Sequence, residues 1–139
     1  MSFEEKGTWV FLVVTIGTYG AYLAVILGRA DSIPLAEVSY VSTMLWTIGI
    51  AIGLSIVGHI AVAIAKPSEA DKKDVRDKDI NRFGEYVGGI VLGIGMVVPL
   101  GLALAEVEHF WIANAMYAAF VLSALVSTPV KLVAYRRGL

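Results

Sequence analysis

The chain has no cysteine in its 139 residues. Disulfides, thiolate metal sites and cysteine nucleophiles are therefore excluded, and the redox compartment is left open. Carboxylates are missing from a second place: no Asp or Glu falls within the long apolar runs, so the intramembrane acid that many proton-coupled transporters use is lacking. The sequence contains no glycine-rich phosphate loop, no His-Glu-x-x-His pair and no convincing Ser-His-Asp set, which argues against an enzyme. A net charge of -1 gives no electrostatic reason to expect a nucleic-acid partner.

What is present is apolar length. Four stretches, Gly7 to Gly28, Val38 to Ala65, Tyr86 to Ala105 and Phe110 to Val130, each run twenty residues or more without Asp, Glu, Lys or Arg. A bilayer span needs about 20 apolar residues as a helix, and only a helix or a closed barrel satisfies its backbone in hydrocarbon. The 58% hydrophobic content and mean hydropathy of +0.76 agree. The expected fold is all-α: an integral membrane four-helix bundle forming one domain over residues 1–139, with spans at about 7–28, 38–65, 86–105 and 110–130 and a charged loop at 66–85. The first apolar run is too long for a signal-peptide core, so the first span should be retained.

Orientation follows from the cations. Lys6, then Lys66, Lys72, Lys73, Arg76, Lys78 and Arg82, then Lys131, Arg136 and Arg137 fall in the two tails and the central loop, and the other two loops hold only Arg29. By the positive-inside rule both termini and the central loop are expected in the cytoplasm. Trp9, Tyr86 and Tyr135 then mark the inner boundary, and Tyr40, Trp46, Phe110 and Trp111 the outer one.

The second run is about 42 Å long at ~1.5 Å per residue, more than one membrane thickness. Leu35, Val38, Val41 and Leu45 recur at helical spacing, which predicts an outer helical extension capped by Asp31 or Ser32 that lids the bundle or tilts along the interface. In the central loop Glu69 with Lys73, Lys73 with Asp77 and Asp74 with Lys78 sit i, i+4, as on a solvated helix. Pro67 separates that helix from the second span. Val75, Ile80 and Phe83 would make it a docking surface for a cytoplasmic partner.

The run from Asp74 through Arg76, Asp77, Asp79, Asn81, Arg82 and Phe83 to Gly84, followed by Gly88, His109 to Asn114 and Lys131 to Gly138, resembles an uncharacterised family of short multi-pass prokaryotic membrane proteins, a domain of unknown function. The resemblance covers the second half of the chain, and Val75 stands where that family usually carries an acid. It implies a prokaryotic plasma membrane and an accessory role, and no reaction.

Gly49 with Gly53, Gly84 with Gly88 and Gly89 with Gly93 are GxxxG pairs that let helix backbones approach, within one chain or between chains. Pro99 and Pro129 should each remove a helical hydrogen bond and kink spans three and four. Trp46 to Lys66 and Trp111 to Lys131 have equal spacing, consistent with two hairpins arranged as a parallel repeat.

The polar candidates are few. His59 is the titratable residue deepest in a span, with Ser55 one turn away, and reads as a neutral hydrogen-bonded imidazole, a proton relay or a haem ligand. A haem shared with His109 is disfavoured, since the two should lie roughly 20 Å apart or more by helical rise. Glu106, Glu108 and His109 include a Glu-x-x-His spacing that puts two ligands on one helical face in carboxylate metal sites. Asn114 is expected to bridge helices. Thr15, Thr18, Tyr19 and Tyr22 form a polar stripe on the first span. The functional expectation is a small non-enzymatic accessory or regulatory membrane subunit, with the lipid bilayer and either its own copies or a larger membrane complex as partners. The alternatives are a dimeric transporter or channel with an acidic outer vestibule around Glu37, Glu106 and Glu108, and a metal- or haem-binding redox protein. No cofactor is assigned.

Overall fold

The structure, a computed structural model, describes residues 1–70 and 74–138. All regular structure among the described residues is helical: α1 (Phe3–Arg29), α2 (Val41–Ala65), α3 (Pro67–Ala70), α4 (Val75–Gly95), α5 (Val97–Leu104) and α6 (His109–Arg137), with a short 3-10 helix at Leu35–Glu37. Four segments are long and apolar enough to cross a membrane: α1, α2, the α4–α5 pair and α6.

Local chemistry explains most of the ends. Ser2 caps α1, its Oγ accepting from the Glu5 amide at 3.1 Å. The acidic Glu4 and Glu5 in the first turn and Arg29 in the last suit the helix dipole. Asp74 caps α4 by accepting from the Val75 amide at 2.7 Å, and the charged segment runs unbroken into the third span. Lys66 breaks the chain between α2 and α3, and Pro67 opens α3, where a missing N–H costs nothing. Of the charged pairs read in this loop, those that include Lys73 lie outside the described residues.

Two expectations about helix continuity are corrected. The outer extension is no continuous helix. Between the 3-10 helix and α2, Val38 is extended with φ -66° and ψ 134°, and α2 begins only at Val41. Burial outweighs helical spacing here, because Val38, 3% exposed, packs with Tyr22, Ile26 and Phe110. Arg29 holds the bend, donating from Nη1 to the Ser39 carbonyl at 2.7 Å and to Thr43 Oγ1 at 2.9 Å. Of the two prolines, Pro99 accompanies a break: α4 stops at Gly95, Met96 interrupts, and α5 follows. Pro129 lies inside α6, which continues through it to Arg137.

The helices pack in the order α2, α1, α6, α4–α5, through three seams. Glycine makes two of them close. In the α1–α2 seam a Cβ at Gly58 would run into the Val10 side chain, and one at Gly7 would stand 2.7 Å from His59 Nε2. In the α4–α6 seam a Cβ at Gly88 would stand 2.9 Å from Ser127 Cβ, and one at Gly95 3.1 Å from Ala119 Cβ. Ser123 Oγ donates across this seam to the Gly88 carbonyl at 2.7 Å. The central seam joins α1 to α6. A parallel repeat about a membrane-normal axis would require the same seam again between α2 and the α4–α5 pair. No comparable seam joins α2 to α4 or α5 among the described residues, and the bundle is open along that side.

Both termini and the α2–α4 connection lie at one end, where the Arg136 guanidinium stands 6.0 Å from the Trp9 ring centroid. The α1–α2 and α5–α6 connections lie at the other. These are called here the terminal end and the loop end.

Candidate functional site

Three helical stripes face a common cleft. Glu4, Thr8, Phe11, Thr15 and Thr18 recur along α1, Ile48, Ile52 and His59 along α2, and Tyr117, Val121, Ala124, Thr128 and Lys131 along α6. Such spacings of three, four and seven place each set on one helix face.

At the terminal end lies a polar chamber of about 220 Å³, to which α4 adds Asn81. His59 Nδ1 lies 2.7 Å from the Ser55 carbonyl oxygen. A carbonyl only accepts, so Nδ1 carries the proton, and whenever the ring holds no second proton Nε2 is an acceptor. Gly7 is what permits this placement, since any side chain there would displace the ring. Asn81 Nδ2 donates to Glu4 Oε2 over a long 3.5 Å. The Lys131 stem crosses α4 where Gly84 leaves room for its methylenes. Its Nζ stands 3.9 Å from Glu85 Oε1, a carboxylate 74% exposed, so this pair adds little stability. Thr128, 2% exposed, forms part of the wall.

Beyond Phe11, which lines both parts, the cleft becomes an apolar groove of about 460 Å³ between α2 and α6 with α1 as its floor. The hydroxyls of Thr15 and Thr18 are turned back onto their own helix, donating at 2.8 Å to the Phe11 carbonyl and at 2.7 Å to the Val14 carbonyl. The polar stripe read on the first span is therefore largely masked at this depth.

At the loop end the groove is shut. Tyr22 Oη donates to Asn114 Oδ1 at 2.5 Å, and Asn114 Nδ2 donates to the Phe110 carbonyl at 2.8 Å, so this amide joins α1 to α6. Tyr117 meets Tyr19 and Tyr22 edge-on, each with centroids 5.0 Å apart, and its Oη lies 3.2 Å from Thr47 Oγ1 on α2. Leu35, Val38 and Tyr40 pack over this end.

The remaining candidates are scattered. Among the described residues no three His, Asp or Glu side chains come together as a metal group. The reason at Glu106, Glu108 and His109 is backbone geometry. The Val107 amide bonds the Leu102 carbonyl and the Glu106 amide bonds the Ala103 carbonyl, which is a Schellman ending for α5 with Glu106 at its left-handed position, φ 54°. Glu108 is extended and His109 opens α6, so the Glu-x-x-His spacing does not lie on one helical face. His59 and His109 sit at opposite ends of the spans. In the docking set Val75 and Phe83 are 71% and 54% exposed, but Ile80 is 4% exposed, so it faces the chain's own interior and drops out of that surface. The sequence reading missed Glu4, Asn81 and Lys131. They are distant along the chain, and only the stripes of α1 and α6 foreshadow their meeting.

No family profile, curated protein or solved structure matches the chain.

Proposed function

We propose that the chain is a small non-enzymatic subunit of a prokaryotic plasma membrane, both termini cytoplasmic, that acts by assembling laterally with copies of itself or with a larger membrane complex. One observation carries this reading: α2 is an edge helix with none of its residues buried, and its glycine pair points away from its only substantial neighbour. Gly58 and His59 contact α1, and at 3.6 residues per turn Gly49 and Gly53 fall on the opposite face. Among the described residues, nothing beyond the glycine's own stretch of α2 lies within 4 Å of a Cβ built at either. Gly89 and Gly93 are likewise open at the other edge, on α4, while Gly84 and Gly88 are spent on the internal seam. Lipid tails are as apolar as these faces, so helix association in a membrane depends on close backbone approach, which glycine rows permit. Two such edges on one protomer suit rings or a two-sided contact with a larger complex. Closure of the cleft at Tyr22, Asn114 and Tyr117 weighs against a through-path for solutes.

Because the chain is free of cysteine, single substitutions report contacts directly. Gly49→Cys, with Val13→Cys on the lipid-facing side of α1 as control, should be cross-linked in native membranes to a second copy or to one recurrent larger protein, and native mass spectrometry should give a matching mass. Equal, sparse cross-linking at both positions together with a bare monomer would reject the subunit reading.

A further inference from the structure

The chamber and the groove adjoin at Phe11, which lines both, and the stripes of α1, α2 and α6 run along both without changing face. Their shared long axis follows the spans, polar at one end and apolar along the rest, which is the shape of a lipid lying parallel to its neighbours. We propose that this cleft holds a neutral single-chain lipid of the monoacylglycerol type, head in the chamber and chain in the groove.

Charge selects the head. The formal charges that line the chamber, Glu4 on α1 and Lys131 on α6, are of opposite sign, and His59 on α2 and Asn81 on α4 add none in their neutral forms. A phosphate head would face the Glu4 carboxylate and a bare acceptor nitrogen, and a quaternary ammonium head would face Lys131. A neutral head meets neither repulsion, and desolvating it costs far less than desolvating an ion. The hydrogen-bonding set then asks for both a donor and an acceptor. His59 Nε2 takes a proton from a hydroxyl, and Asn81 Nδ2 and Lys131 Nζ give to a carbonyl. A glycerol monoester presents hydroxyls and an ester carbonyl together, whereas a quinone offers only acceptors until reduced.

Size selects the chain. The groove of about 460 Å³ runs about 12 Å along α1 from Phe11 to Tyr19 at ~1.5 Å per residue, which suits a single acyl chain lying along the spans. Tyr22, Asn114 and Tyr117 stop that chain at the loop end. The head lies at the depth of Glu4 and Lys131, where the apolar runs give way to charge and the bilayer becomes interfacial.

The test uses the full chain in phosphatidylcholine nanodiscs with a monoacylglycerol carrying a diazirine in mid-chain, and adducts are located by peptide mass spectrometry after illumination. Adducts should concentrate on Ile52, Val121 and Ala124. Excess unlabelled mono-olein should suppress most of them, and the same excess of phosphatidylglycerol should not. His59→Leu should weaken labelling at the same residues, and Ala124→Trp should abolish it by filling the groove. Should Ala124→Trp fail to fold, the wild-type competition decides alone. Adducts spread evenly over the lipid-facing Ile50, Ile64 and Leu104, or suppression by phosphatidylglycerol or a quinol in place of mono-olein, would overturn the proposal.

Discussion

The two ends of the cleft are built on different physics. At the loop end, side chains of α1 and α6 are buried and paired, and Thr47 of α2 reaches the Tyr117 hydroxyl: Tyr22 is 1% exposed and Phe110 4%, the Asn114 amide is bonded through both its oxygen and its nitrogen, and three tyrosine rings touch. At the terminal end the polar groups are more numerous and their links longer, 3.5 Å from Asn81 to Glu4 and 3.9 Å from Lys131 to Glu85. The first arrangement fixes how α1, α2 and α6 sit together; the second leaves hydrogen-bonding capacity turned toward a cavity. Stability and chemistry are thus segregated along one axis, with the apolar groove between them.

Mutation should separate the ends. Tyr22→Ala removes the most buried ring and its link to Asn114 and should destabilise the chain by about 3 kcal/mol, the range for deleting a core aromatic. His59→Leu should cost less than about 0.5 kcal/mol, as expected for a change at an exposed site. Thermal unfolding in mild detergent checks both, and equal losses would erase the distinction. Gly88→Val tests the seam that carries Asn81 to the chamber: its Cβ would enter the Ser127 position, with an expected loss of about 1–3 kcal/mol for overpacking. A smaller effect of opposite sign is expected at Glu106→Gly. Relieving a left-handed non-glycine residue in the α5 ending should stabilise by about 1 kcal/mol, and a fall in unfolding temperature would show that the Glu106 side chain is itself engaged.

Much of the fold was legible because hydrocarbon imposes so strict a rule: runs free of charge marked all four spans, and Pro67 and Pro99 marked breaks. Legibility failed at Val38, where the spacing of Leu35, Val38 and Val41 imitates a helix although burial against Tyr22 and Phe110 holds the backbone extended. It failed at Glu106 for a related reason, since a residue spacing says nothing about ligand geometry once a helix end falls inside it. Of the site, His59 was visible as a lone polar residue in an apolar run. Its companions were not. Glu4 and Lys131 look like ordinary boundary charges in the sequence, and only packing through Gly7 and Gly84 turns them toward the same space.

The helix order also bears on how the chain is made. α6 follows the other three spans in the chain, yet it occupies an interior place, between α1 and the α4–α5 pair. Among the described residues no large seam joins the α1–α2 hairpin to the α4–α5 segment directly, and α6 lies between them. A nascent chain that stalls or is cut before His109 would therefore leave two separable halves in the membrane, so the four spans become one bundle only when α6 inserts.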